Sequence, residues 1–275
     1  MPINFRAETR STNNNPSSSQ IFSPALWYDA SDSSTVTLSG STVSVWANKG
    51  SAGIGYNISQ ATASFQPSYS ATQNGLKVMT FDGTNDRLTT TQLTSVTHIF
   101  VASAWSTSAA TTASDKVLLS SNILGDSFAA DWGDSGISTT ALIRTLSFGS
   151  GTYKWPAIQP TQSTSQLNGS NFVNLTDSKW STFSIYSINL QSGYTGAFFG
   201  TGGDFFGSNT FEGSYGEIIV YQTTYLTAAQ IETVTGYLAN KWGTTSLLPS
   251  NFTYKSQSPF SQSIFYPVKF SGKTS

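Results

Sequence analysis

The sequence predicts an all-β fold, a sandwich or jelly roll of short antiparallel strands, with one short helix near its C-terminal end. Three observations carry this. Short β-branched and aromatic runs recur at regular spacing, each bounded by Gly, Asn, Asp, Ser or Pro, as in chains that turn back every few residues. Charged residues make up only 10% of the 275, against 37% hydrophobic and 13% aromatic. A large core is therefore possible, and the polar surface falls to Ser, Thr, Asn, Gln and Gly. One stretch alone, ending at Gly243, carries a convincing helical period.

The elements follow in chain order. Residues 1–20 are polar, with Ser11-Thr-Asn-Asn-Asn-Pro-Ser-Ser-Ser-Gln20 at their end. That run buries too little surface to offset its ordering entropy, so 1–20 is expected to be a flexible arm, ordered only by a neighbour. A domain is expected over 21–249. Its strand candidates are Ala25–Tyr28, Val36–Leu38, Val43–Trp46, Leu76–Phe81, His98–Trp105, Val117–Ser120, Leu142–Phe148, Trp180–Leu190, Ala197–Phe199 and Glu217–Tyr221. Asp82-Gly83 and Asn48–Gly53 punctuate them as turns. In the last strand Ile218 and Val220 share one face, Ile219 and Tyr221 the other, so both faces need cover.

The helix follows from side-chain chemistry. Thr227 and Gln230 form a capping box. Ile231, Val234, Leu238 and Trp242 then recur at helical spacing, with Glu232, Thr235 and Asn240 turned away. Lys241 complements the dipole in the last turn and Gly243 ends it. Beyond Leu248-Pro249, residues 250–275 scatter Phe252, Tyr254, Phe260, Phe265, Tyr266 and Phe270 without a period. Two readings stand: an extended aromatic tail lying on its own domain, or one that docks on a neighbouring subunit.

Composition narrows function. A net charge of -1 gives no electrostatic footprint for nucleic acid or an anionic membrane. The absence of cysteine removes disulfides, thiolate metal sites and thiol catalysis. No apolar run approaches the roughly 18 residues of a membrane span, and Met1–Arg6 has no basic and apolar leader pattern.

Candidate sites are few. Glycoside hydrolysis needs two carboxyl groups roughly 5–5.5 Å or 6.5–9.5 Å apart, and no strand carries alternating acids. Glu217 therefore reads as a hydrogen-bonded structural carboxylate, and Asp29, Asp32, Asp82 and Asp86 as turn and cap residues. No catalytic residue is expected. His98, the single histidine, reads as structural, since no second histidine or nucleophile motif accompanies it. Asp126, Asp131 and Asp134 lie within Gly125–Gly136, a Gly- and Asp-rich stretch that is either a turn-rich loop or a calcium site. Trp46, Trp105 and Trp180 suit the core, whereas Trp132 and Trp155 sit in loop-like sequence and are the candidates for stacking on sugar rings. Gly200–Gly207 lacks the ending of a phosphate loop and reads as a bend.

Several stretches together resemble a known family. Pro24-Ala-Leu-Trp-Tyr-Asp-Ala-Ser-Asp32, Val43-Ser-Val-Trp-Ala-Asn-Lys-Gly50 and Gln60-Ala-Thr-Ala-Ser-Phe-Gln-Pro67 are followed by Asn74-Gly-Leu-Lys-Val-Met-Thr-Phe-Asp-Gly-Thr-Asn-Asp-Arg-Leu88. Gly216-Glu-Ile-Ile-Val-Tyr221, Gly236-Tyr-Leu-Ala-Asn-Lys-Trp-Gly243 and Leu248-Pro249 close the set. They resemble the laminin-G-like, concanavalin A-like lectin/glucanase domains of phage virion proteins and bacterial surface proteins. The resemblance spans about 22–256 and implies a jelly roll of two antiparallel sheets. It implies sugar binding, sugar cleavage or assembly.

With no catalytic constellation, the expectation is a structural protein on the exterior of a phage or virus particle, as capsid decoration, fibre or spike. Arm and tail would contact other virion proteins, in a homo-oligomer, and host polysaccharide would be a further partner. The alternatives are a glycan-binding adhesin of a cell surface and, less favoured, a polysaccharide-cleaving enzyme.

Overall fold

A computed structural model describes residues 16–107, 116–120, 128–131, 163–171, 180–190, 192, 196–202 and 210–260. The fold is all-β with a single long helix among the described residues. Its strands are β1 (Leu26–Asp29), β2 (Val36–Ser39), β3 (Thr42–Trp46), β4 (Ile58–Ser59), β5 (Thr72–Gln73), β6 (Leu76–Lys77), β7 (Met79–Asp82), β8 (Leu88–Trp105), β9 (Lys116–Ser120) and β10 (Phe128–Asp131). There follow β11 (Ser163–Leu167), β12 (Ser170–Asn171), β13 (Ser184–Leu190), β14 (Gly196–Thr201) and β15 (Glu212–Gln222), then the helix α1 (Ala228–Trp242). Of the strands expected from sequence, Leu142–Phe148 lies outside the described residues.

The frame is one branched antiparallel sheet of 13 strands, with β5 and β6 paired separately. The C-terminal half of β8 runs between β13 and β15, while its N-terminal half pairs with β14 and touches β4. β1 adds to the outer edge of β15, with Leu26 opposite Val220 and Asp29 opposite Glu217. Side chains of the central strands alternate between two apolar clusters. Ile99, Val101, Ile218 and Val220 enter one, with Trp46, Phe81, Leu118 and Phe198 contributed by the branches. Phe100, Ala102, Ile219 and Tyr221 enter the other, which α1 covers. Both faces of the centre are thus buried, as the composition of Glu217–Tyr221 requires.

Helix α1 forms as its sequence dictates. Gln230 N donates to Thr227 Oγ1 at 3.3 Å and Thr227 N donates to Gln230 Oε1 at 2.8 Å. Gly243 takes the left-handed conformation at φ 73°. Val234, Leu238 and Trp242 are buried and Ile231 is half-buried. Thr235, expected on the solvent side, is instead buried, and Glu232 and Asn240 are only partly exposed. The cause is a second layer over the helix. The chain beyond Pro249 crosses it, with Thr253 N donating to Glu232 Oε1 at 2.9 Å and Asn240 Nδ2 donating to Tyr254 O at 3.0 Å. Phe252 and Phe260 pack against the helix-side cluster. The remaining tail aromatics, Phe265, Tyr266 and Phe270, lie outside the described residues.

Gly236 makes that crossing possible. A Cβ there would stand 2.5 Å from Tyr254 Cβ. Gly236→Ala would gain up to about 1 kcal/mol of helix propensity, but the overpacking cost, about 1–3 kcal/mol, dominates. The expected outcome is net destabilisation, with faster hydrogen exchange at 252–257 as the segment is levered off. Unchanged exchange there would contradict this packing.

At the other end, Ser17–Ser23 already forms hydrogen-bonded turns, and Tyr221 Oη donates to Ile21 O at 2.6 Å. Residues 1–15 of the expected arm lie outside the described residues. No helix among the described residues is long and apolar enough to cross a membrane.

Candidate functional site

Asp29 and Glu217 face one another across the β1–β15 ladder. The sequence hides this pairing, because the two acids come from opposite ends of the chain. Trp27 precedes Asp29 by two residues and points to the same face. The kink in β15 between Tyr215 and Glu217 occurs at Gly216, where a Cβ would lie 2.8 Å from the Trp242 ring. Helix α1 presents Tyr237, Lys241 and Trp242 from above, spaced so that their side chains converge. The turn Asn48–Gly50 supplies Lys49, fixed by its backbone N donating to Trp27 O at 2.9 Å.

These residues form one continuous chain of charge. Glu217 Oε1 accepts from Trp27 Nε1 at 2.6 Å and Tyr237 Oη at 2.8 Å. Its Oε2 accepts from Trp242 Nε1 at 3.0 Å and from Lys241 Nζ at 2.8 Å. Four donors meet the four lone-pair directions of a carboxylate. Lys241 Nζ also reaches Asp29 Oδ1 at 2.7 Å and donates to Tyr237 Oη at 3.2 Å, so its three hydrogens are placed. Asp29 Oδ1 accepts from Ser31 N at 3.1 Å and Ser31 Oγ at 2.6 Å, and its Oδ2 meets Lys49 Nζ at 3.2 Å. Lys49 continues to Asp32 Oδ2 at 2.9 Å and lies 4.3 Å over the Trp27 ring. The side chains of Asp29 and Glu217 are 0% exposed and that of Lys241 9%.

Titration follows from this enclosure. Burial acts to raise the Asp29 carboxyl, but the charges of Lys241 and Lys49, with hydrogen bonds from Lys241 and Ser31, hold it below the usual carboxylate range. Burial raises the Glu217 carboxyl and Asp29 adds to this, so it stays above its usual range although Lys241 and Tyr237 pull against it. Burial acts to lower the Lys241 ammonium, yet Glu217 and Asp29 win and hold it above the ordinary lysine value. Three carboxyl groups share two ammonium groups, and Glu217 is the one that burial leaves readiest to take a proton.

The structure places the other candidates as follows. Glu217 is hydrogen-bonded on both carboxyl oxygens, as its lone position in a strand suggests. Asp32 caps the turn Ser33–Thr35. Asp29 does accept from Ser31 as a turn residue, but it also takes both lysines, a role its local sequence does not announce. Asp82 Oδ1 accepts from Thr84 N and Asn85 N. Asp86 accepts from Asp82 N at 2.9 Å, and burial pushes it up to about 6. His98 is buried and pushed down to about 4 by desolvation, with its Nδ1 unpartnered. Trp46, Trp105 and Trp180 are core residues.

Trp132, Trp155, Asp126 and Asp134 lie outside the described residues. Asp131 ends β10 with its backbone opposite Lys116, so the stretch Gly125–Gly136 contains a strand where a turn-rich loop is expected. Its side chain lies outside the described residues. Among the described residues no group of three or more His, Cys, Asp or Glu is placed to hold a metal ion. Gly200–Gly202 ends β14 and bends; 203–207 lie outside the described residues. Sequence reasoning misses Lys49, Trp27 and the inward course of Lys241, because dipole complementarity already explains a lysine in a last helical turn.

An acid whose lone pairs are all occupied, and which water does not reach, has no site left for an external substrate. The group braces β1, β15, α1 and the Asn48–Gly50 turn against each other. No family model, no curated protein and no solved structure compared with the chain matches it.

Proposed function

We propose that this chain is a non-enzymatic structural protein on the exterior of a phage or virus particle, serving as capsid decoration or as part of a fibre or spike. The observation that carries the reading is the sealed charge chain. Asp29 and Glu217, acids brought together across one ladder, hold the fold shut from within. The low-charge, Ser- and Thr-rich composition supports it, as does the resemblance to domains of virion proteins. We read the branched sheet, closed over the Trp46–Phe198 cluster, as a sandwich of the jelly-roll kind. In this account the N-terminal arm and the C-terminal tail contact neighbouring virion subunits in a homo-oligomer.

Mass spectrometry of purified, nuclease-treated particles tests it, together with antibody labelling of intact particles in electron micrographs. The chain is expected among the stoichiometric particle proteins, and labelled from outside. Its absence from intact particles overturns the proposal.

A further inference from the structure

Lys241 Nζ stands within 2.8 Å of two carboxyl groups in a site walled by Trp27, Tyr237 and Trp242. An ion pair needs only one of them. The rest of the arrangement has the parts of an acyl-transfer site turned inward: an amine, a carboxyl carbon, a second carboxyl group touching the amine, and donors on both oxygens of the first. We propose that Lys241 and Asp29 join as a side-chain amide, an isopeptide bond that ties β1 to α1, with Glu217 as the catalytic proton carrier.

The step balances. Glu217 Oε2 takes a proton from the Lys241 ammonium, and the freed nitrogen lone pair attacks Asp29 Cγ. A C–N bond forms and the carbonyl electron pair moves to Oδ2, where Lys49 Nζ waits at 3.2 Å to meet the developing charge. Two of the three ammonium protons pass through Glu217 to Asp29 Oδ1, which leaves as water when the carbonyl re-forms. One proton stays on the amide nitrogen, and Glu217 ends as it began. No oxidant or co-reactant enters. The Ser31 N–H and O–H, both on Oδ1, hold the leaving oxygen. Fixed contact between amine and carboxyl supplies the proximity such a reaction requires. Glu217, whose carboxyl burial raises, is the base in contact with the ammonium that can take its proton and free the amine. The electrophile is Asp29 rather than Glu217 because a second ammonium, Lys49, polarises Asp29, whereas the other donors on Glu217 are the uncharged Trp27, Tyr237 and Trp242. The inference rests on the cluster alone and not on where the domain is displayed.

Intact-mass measurement of the full chain under denaturing conditions is the test. The expected mass is the sequence mass less one water, and fragmentation of a proteolytic digest should find a branched peptide joining Lys241 to Asp29. Asp29→Asn reaches the same amide by releasing ammonia, so its mass should fall by one ammonia instead. Lys241→Arg keeps the cation but not the nucleophile and should retain the full sequence mass. Folding of each variant is checked by circular dichroism. Full sequence mass in a folded wild-type chain overturns the proposal. So does a water loss that maps to a cyclic imide at Asp29, or to a link between Lys241 and Glu217.

Discussion

Glu217→Ala is expected to lower the free energy of unfolding by about 3–5 kcal/mol, the usual cost of removing one partner from a buried ion pair. Chemical denaturation of wild type and variant side by side measures it. The loss has three parts. Trp27 Nε1, Tyr237 Oη and Trp242 Nε1 lose the acceptor they share, and each buried donor left unmade costs about 1–3 kcal/mol before relaxation. Lys241 loses one of its two counter-charges. The vacated space adds a cavity between sheet and helix. Glu217→Gln keeps the shape but turns acceptor positions into an amide NH₂ that faces donors, so it too is expected to be destabilised. A change below about 1 kcal/mol for Glu217→Ala would mean that the acid is solvated, and the bracing role would fall.

Lys241→Met is expected to destabilise by a similar amount at neutral pH, and the deficit should shrink as pH falls. In the wild type before the amide forms, Lys241 holds Asp29 below its ordinary range, so Asp29 contributes stability present above its unfolded pKa and lost as pH drops through the folded one. Glu217, raised by burial, slopes the other way: stability present at low pH is lost as pH rises through its folded value. Without the ammonium both acids are buried with Lys49 as the remaining cation. Both folded pKa values then rise, and the variant regains stability as acid protonates them. His98 at about 4 and Asp86 at about 6 also titrate here, but they are common to both proteins and cancel in the difference. In wild-type chains that have not formed the amide, a contribution should be lost at high pH, since Lys241 is held above the ordinary lysine value and its stabilisation disappears as pH rises through that folded pKa. Denaturation midpoints across pH measure these slopes. A deficit that grows towards acid would contradict the placement of Lys241 between the two acids.

Local chemistry makes some of this architecture legible in the sequence. The capping box at Thr227, the stripe through Val234, Leu238 and Trp242 and the stop at Gly243 specify α1 by themselves. The apolar run from His98 to Trp105 marks the middle of the sheet. The first half of β8 was hidden because Leu88, Leu93, Val96 and Ile99 enter one cluster although each is an odd number of residues from the next. Bulged pairing with β14 and a positive φ of 57° at Ser95 shift the phase, so no period of two survives. β11 is Ser-Thr-Ser-Gln-Leu, with little intrinsic strand preference. Its five-pair register with β13 imposes the conformation. The second layer on α1 is half legible, because the aromatic tail admits lying on its own domain, but with no period of its own it does not show that it covers the polar flank of the helix. In the charge chain the isolation of Glu217 on a strand marks it as a hydrogen-bonded carboxylate, while the local sequence around Asp29 shows only a turn residue. Its partnership with Glu217 depends on β1 pairing with β15, a contact between the two ends of the domain that no local window contains.

The sealed interior is tested most directly by amine labelling of the native protein with a water-soluble reagent near neutral pH, followed by peptide mapping. Lys77 is exposed and should be modified quickly, while Lys241, enclosed by Glu217, Asp29 and Tyr237, should stay unmodified as long as the protein is folded. Modification of Lys241 at the rate of Lys77 in the folded protein would place these acids in an open cleft, and the structural reading would give way to a catalytic one.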